Sequence, residues 1–226
     1  LFTVLILALV LTVSLSAGMG YMKIHWTDVL RTVGAWLTGN TAWIAEVDEL
    51  TRVIIMDVRL PRILPAAAVG GGLAVCGVVF QGILLNPLAD PYTLGVSAGA
   101  AFGAALALLL NLTVAGIYSV PFFAFIGAAA TLLLVIYLSS SAGGANANNL
   151  ILSGIIVAAI LSAGISFLKF VADEQVAVII FWLMGSFASK TWTDVGLTSL
   201  FLAVGTVVFL YYARDLNLLC LGRRTA

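Results

Sequence analysis

Residues 63–85 read ILPAAAVGGGLAVCGVVFQGILL. At ~1.5 Å per residue, a helix over this stretch is roughly 34 Å long, enough for a hydrocarbon core of ~30 Å. The stretch lies inside a charge-free run, 63–89, and the chain has four more such runs: 1–22, 91–168, 175–189 and 195–213. The 91–168 run has room for three crossings at about 20 residues each. A charge at mid-membrane costs at least ~2.5–3.5 kcal/mol on insertion scales, and runs of this length are what that cost predicts. The spans suggested are Leu1–Ala17, Ile63–Leu85, Tyr92–Leu110, Val114–Leu138, Leu150–Phe170 and Val195–Tyr212. Val176–Phe187 is apolar but short, which fits a re-entrant or interfacial helix with Trp182 near the boundary. The runs are apolar on every face and lack the alternation of a barrel strand. The expected class is therefore all-α, a polytopic helical membrane domain over residues 1–226.

Composition agrees. Of 226 residues, 62% are hydrophobic and 9% charged, and ten Lys+Arg balance ten Asp+Glu. A nucleic-acid binder needs a basic face, and disorder needs low hydrophobicity with high charge. So few charges cannot cover a soluble globule of this size. Residues 18–62 hold half of them: Lys23, Asp28, Arg31, Glu46, Asp48, Glu49, Arg52, Asp57, Arg59 and Arg62, with the single histidine, His25. Residues 1–17 end in small residues but follow no basic segment, so a span is expected there and not a signal peptide.

Lipid gives helices no hydrophobic reason to associate, so close contact falls to small residues. Gly95, Gly99 and Gly103 recur every fourth residue, and Gly154, Ala158 and Ser162 repeat the period. These are read as packing ridges. Segment 24–37, IHWTDVLRTVGAWL, suggests a short amphipathic helix with Ile24, Trp26, Val29, Leu30, Val33, Trp36 and Leu37 on one face.

Several chemistries find no support. Gly95-Val-Ser-Ala-Gly99 matches the G-x-S-x-G pattern, but it opens an apolar ridge with no strand before it, and His25 lies in the polar segment. One histidine makes no histidine metal cluster, and Cys76 and Cys220 are too far apart for a framework. Asn111-Leu-Thr113 matches a glycosylation sequon within a tight turn. No Gly-Lys pair occurs, so no phosphate loop is present. The suggested spans hold no Asp, Glu or His, and their one lysine, Lys169, stands one residue from the end of Leu150–Phe170, so none offers the buried proton relay of an ion-coupled transporter. Uphill transport would need energy from another subunit; a passive channel is the alternative from a different class.

Residues 59–103, RLPRILPAAAVGGGLAVCGVVFQGILLNPLADPYTLGVSAGAAFG, carry a specific signal. The pieces Arg59-Leu-Pro-Arg62, Gly77, Gln81, Asn86-Pro-Leu-Ala89, Leu94-Gly95 and Gly99 resemble the FecCD family of binding-protein-dependent ABC permeases, importers of ferric siderophores, haem and cobalamin. Leu152-Ser-Gly154, Trp182-Leu-Met-Gly-Ser186, Leu216-Asn217 and Leu221-Gly222 extend the likeness. The resemblance implies a ten-span type II importer subunit matched over its first six spans, so the chain is expected to be the N-terminal portion of a longer permease. It implies a homodimer with a second permease copy, a cytoplasmic ABC ATPase dimer and an extracytoplasmic binding protein. This chain is expected to be no enzyme and to bind no cofactor or metal, with ATP and Mg on the ATPase.

By the same resemblance, Arg59 and Arg62 dock the binding protein. Gln81, Asn86, Leu88, Ala147 and Asn148 line the pathway or its cytoplasmic gate, and Leu221, Gly222, Arg223 and Arg224 begin the ATPase-coupling region. The family orientation places segment 18–62 outside the cytoplasmic (inner) membrane. Seven Lys/Arg then lie outside and three inside, opposite to the positive-inside rule. The family orientation is preferred because the outer loop is long and carries five acids.

Overall fold

The computed structural model describes residues 1–144 and 146–220, which include no strand. The helices are α1 Phe2–Gly18, α2 Trp26–Thr38, α3 Glu49–Val53, α4 Leu60–Leu84, α5 Val96–Leu109, α6 Ser119–Ser141, α7 Ala147–Val171, α8 Val176–Met184, α9 Trp192–Tyr211 and α10 Ala213–Cys220. Leu221, Gly222, Arg223 and Arg224, expected to begin the coupling region, lie outside the described residues.

Among the described residues, four helical runs are long and apolar enough to cross a membrane: Glu49–Leu84, Gly116–Ser141, Ala147–Val171 and Trp192–Tyr211. The remaining two suggested spans form shorter helices, Phe2–Gly18 and Val96–Leu109, so six crossings are not reached on length alone. The shortening at 92–110 has local causes. Asp90 folds residues 90–93 into a turn, and Gly95 adopts φ +71°, which delays the helix to Val96. At the far end Asn111 turns out with φ +50°.

The run before α4 is also unlike the sequence expectation. Helix starts at Glu49, where the Asp48 carboxylate accepts from the Thr51 N–H, and passes through a π-helical segment, Ile54–Arg59. There the Leu60 N–H reaches Ile55 O, five residues back. Pro61 follows at once. A proline ring collides with the carbonyl four residues before it and offers no N–H, and a widened turn relieves both faults.

Two compact units can be described, each by itself. The first comprises Leu1–Gly72 with Ser186–Val207. Its core is Ala17, Ile24, Val29, Ile55 and Leu60. In α2 the buried residues are Val29, Thr32 and Ala35, whereas Trp26, Leu30, Trp36 and Leu37 are exposed. The amphipathic helix forms, but its buried stripe is narrower than the aromatic and leucine pattern suggests. Trp36 instead stacks on Trp192, with ring centroids 5.5 Å apart. Asp194, in the first turn of α9, accepts from both the Thr191 N–H and its hydroxyl at 2.9 Å, which ties the residue before the helix to its first turn.

The second unit comprises Leu73–Gly185 with the chain from Val208 onward. Its centre is the packing of α5 on α6 and α7. The expected ridge on α5 meets a glycine of α6 that the sequence reading did not single out. A methyl group on Gly99 would lie 2.5 Å from Gly127 O, and one on Gly127 would lie 2.3 Å from Gly99 O. Only hydrogen atoms fit between these backbones.

Candidate functional site

Two groups of sequence-predicted residues can be built from their surroundings. The first is the turn after α4. Pro87 cannot continue a helix, and α4 ends at Leu84 with Leu85 at φ +49°. The Asn86 side chain then takes over the role of a backbone carbonyl, its Oδ1 accepting from the Leu88 N–H at 2.9 Å. Asn86 O accepts from the Ala89 N–H at 3.0 Å. Asp90 repeats the device, its Oδ1 accepting from Tyr92 N–H at 2.8 Å and Thr93 N–H at 2.9 Å. Ala89 and Leu94 are buried, which anchors the turn, while Leu88 stands 85% exposed.

The turn is seated on α7 by the second glycine motif. A methyl on Gly154 would lie 2.3 Å from Thr93 O, and one on Gly95 would lie 3.1 Å from Gly154 O. Leu94-Gly95 and Ser153-Gly154, far apart in sequence, are therefore one contact. Replacing Asp90 by alanine removes the acceptor for the Tyr92 N–H and one of two for the Thr93 N–H, which keeps Asp90 O at 3.2 Å, at an expected cost of ~1–2 kcal/mol by analogy with lost helix caps. Hydrogen exchange should quicken selectively at Tyr92 and Thr93; unchanged exchange there would refute the role.

The second half of the expected gate lies at the start of α7. Asn146 caps the helix, accepting from the Asn149 N–H at 2.9 Å. The Asn149 side chain donates to Ala142 O and Gly144 O at 3.1 and 3.0 Å, closing the loop on itself. Asn149 was not anticipated; its only sequence signal is an Asn-rich stretch. Ala147 is half-buried and Asn148 exposed, and among the described residues no hydrogen bond joins either to Asn86 or Leu88. Gln81 has an exposed side chain on α4, and its carbonyl accepts from the Asn86 N–H.

The two arginines expected to dock a partner behave differently. Arg62 is exposed. Arg59 is buried, donating from Nη1 to Ala17 O and from Nη2 to Met22 O. These are the end of α1 and the loop after it, where helix carbonyls lack partners of their own. Gly20 makes the room: a methyl there would sit 2.9 Å from Arg59 Nη2. In this structure Arg59 is an internal clamp on the end of α1 and Arg62 an exposed cation.

Ser97 lies exposed in the first turn of α5 and follows a turn, not a strand, so the nucleophile elbow of a hydrolase is not built. Among the described residues no three of His, Cys, Asp and Glu come together.

The chain is 36% identical over 225 residues to the molybdate import system permease protein MolB of Haemophilus influenzae, covering 98% of this chain and 64% of that protein. It is 38% identical over 181 residues to the cobalamin import system permease protein BtuC of Halobacterium salinarum, covering 80% and 48%. A solved structure assigned to the metal-chelate type of ABC transporter, in an inward-facing conformation, superposes with a TM-score of 0.76 at 34% identity, covering 97% of this chain and 64% of that one. The chain therefore spans less than two thirds of the length of each. The family model described as the FecCD transport family matches residues 6–226, and the chain belongs to that family.

Proposed function

We propose that the chain forms part of the membrane pathway of an ABC importer in the cytoplasmic (inner) membrane. It works as a homodimer with a second permease copy, above an ATPase dimer, and receives its cargo from an extracytoplasmic binding protein. Beyond family membership, one observation carries the reading. In α4, α6, α7 and α9 the charged residues are Arg62, Lys169 and Asp194, all near helix ends. The buried Arg59, ahead of α4, keeps its proton at any accessible pH and cannot relay one, so these helices offer no proton relay and work must enter from a separate ATP-hydrolysing subunit. The proposed cargo is a metal-containing solute, namely an iron chelate, haem or cobalamin, a range that the molybdate relative widens to an oxyanion.

Within that reading, Arg62 meets acidic groups of the binding protein, because a planar guanidinium forks onto carboxylates. Gln81, Asn86 and Leu88 belong to the pathway and its cytoplasmic gate, with Ala147 and Asn148 opposite. Leu221–Arg224 lead into the ATPase contact. The deciding experiment is uptake into proteoliposomes holding the full-length permease. Uptake should require both the ATPase and ATP. Proton-driven uptake without the ATPase would overturn the proposal, and energy-independent leak would favour a passive channel. Arg62→Glu should weaken binding-protein docking at least tenfold; unchanged affinity would remove Arg62 from that interface.

A further inference from the structure

Arg59 is 8% exposed, yet it forms no ion pair; among the described residues the pair formed is Arg31–Glu46, at 2.8 Å on the surface. A guanidinium has five N–H donors, and two of Arg59's are spent on Ala17 O and Met22 O. Carbonyls supply dipoles but no counter-charge, and buried cations are ordinarily neutralised by an anion. Arg59 lines a cleft of about 340 Å³ together with Arg62, and the cleft wall includes Met19, Met22, Val58 and Ile63. Among the described residues no acidic side chain lines it. The charge-free runs 1–22 and 63–89 meet at these walls, so on the membrane reading the cleft sits where water gives way to hydrocarbon. Its occupant needs a compact anionic group and an apolar body. A carboxylate from a docked protein satisfies the first requirement and leaves the methionines and Ile63 uncovered.

We propose that this cleft holds an anionic phospholipid, with the headgroup phosphate on Arg59, Arg62 adding charge at the rim, and the acyl portion against Val58 and Ile63. The site is independent of which solute the chain helps to move. The test uses the purified, delipidated chain in a neutral maltoside detergent, with lipid retention read by native mass spectrometry. Phosphatidylglycerol should be retained at least tenfold more tightly than phosphatidylcholine, and millimolar inorganic phosphate should not displace it. Val58→Glu places an anion in the cleft at an exposed position without touching the clamp. It should lower phosphatidylglycerol retention at least tenfold with helix content unchanged. Equal retention of the two lipids, or unaltered retention by Val58→Glu, would overturn the proposal. Displacement by inorganic phosphate would reduce the cleft to a free-anion site, and displacement by a glutamate-rich peptide would assign it to an acidic protein; either outcome removes the lipid.

Discussion

With leucine in place of Gly99, the α5–α6 pair is expected not to form. A methyl at this position already falls 2.1 Å from Thr131 Oγ1 and 2.5 Å from Gly127 O. The hydroxyl can rotate away, but the Gly127 carbonyl belongs to the hydrogen-bonded backbone of α6 and cannot. Neither helix can yield alone, because Gly103 repeats the contact one turn on, its methyl falling 2.3 Å from Phe123 O. Overpacking a tight core costs ~1–3 kcal/mol when neighbours adjust. Gly99→Ala should reach the top of that range, and Gly99→Leu should exceed what the pair can absorb. The control is Gly77→Ala, where among the described residues nothing lies within 4 Å of the added methyl. It should be neutral or stabilising by up to ~1 kcal/mol, the helix-propensity difference. Helicity followed through a denaturing-detergent titration reads both variants. Equal midpoints for Gly99→Ala and Gly77→Ala would show that the backbones are not in contact.

This contrast marks how far the sequence could be read. The period of four in Gly95, Gly99 and Gly103 identified a ridge, because small residues at that spacing must share a helix face. Its partner escaped notice, since Gly127 stands alone in an alanine-rich run and gains meaning only from the helix laid against it. Asn86 and Asp90, each before a proline, are residue types whose side-chain oxygen caps a turn, and the structure shows both doing so. Span ends were less legible. Charge-free length sets an upper limit on a helix, but Gly95 and Asn111, with positive φ, shorten one inside a continuous apolar run. The arginines were the least legible of all. A cation at a helix end reads the same in sequence whether it faces a partner or folds back onto carbonyls, and only the loop path after α1 decides it.

That decision predicts the larger effect at Arg59 than at Arg62. Replacing Arg59 by methionine keeps the packing of the stem but leaves Ala17 O without its donor beside a core in which Ala17 is 2% exposed. Hydrogen bonds to a charged group contribute ~1.5–3 kcal/mol each, and the Met22 carbonyl, in a more open loop, can partly recover by turning to water. The net loss should be about 2–3 kcal/mol, concentrated where α1 ends. Arg62→Met, at an exposed position without an ion pair, should stay within about 0.5 kcal/mol. Arg59→Lys should fall between the two, because an ammonium keeps the charge but lacks the fork that spans both carbonyls. Hydrogen exchange over residues 17–25 separates the cases. Faster exchange there in Arg59→Met and partial protection in Arg59→Lys are expected, with Arg62→Met unchanged. Equal exchange in all three would mean that the loop after α1 is held by the packing of Ile24 and Val29 alone, and that Arg59 does not clamp it.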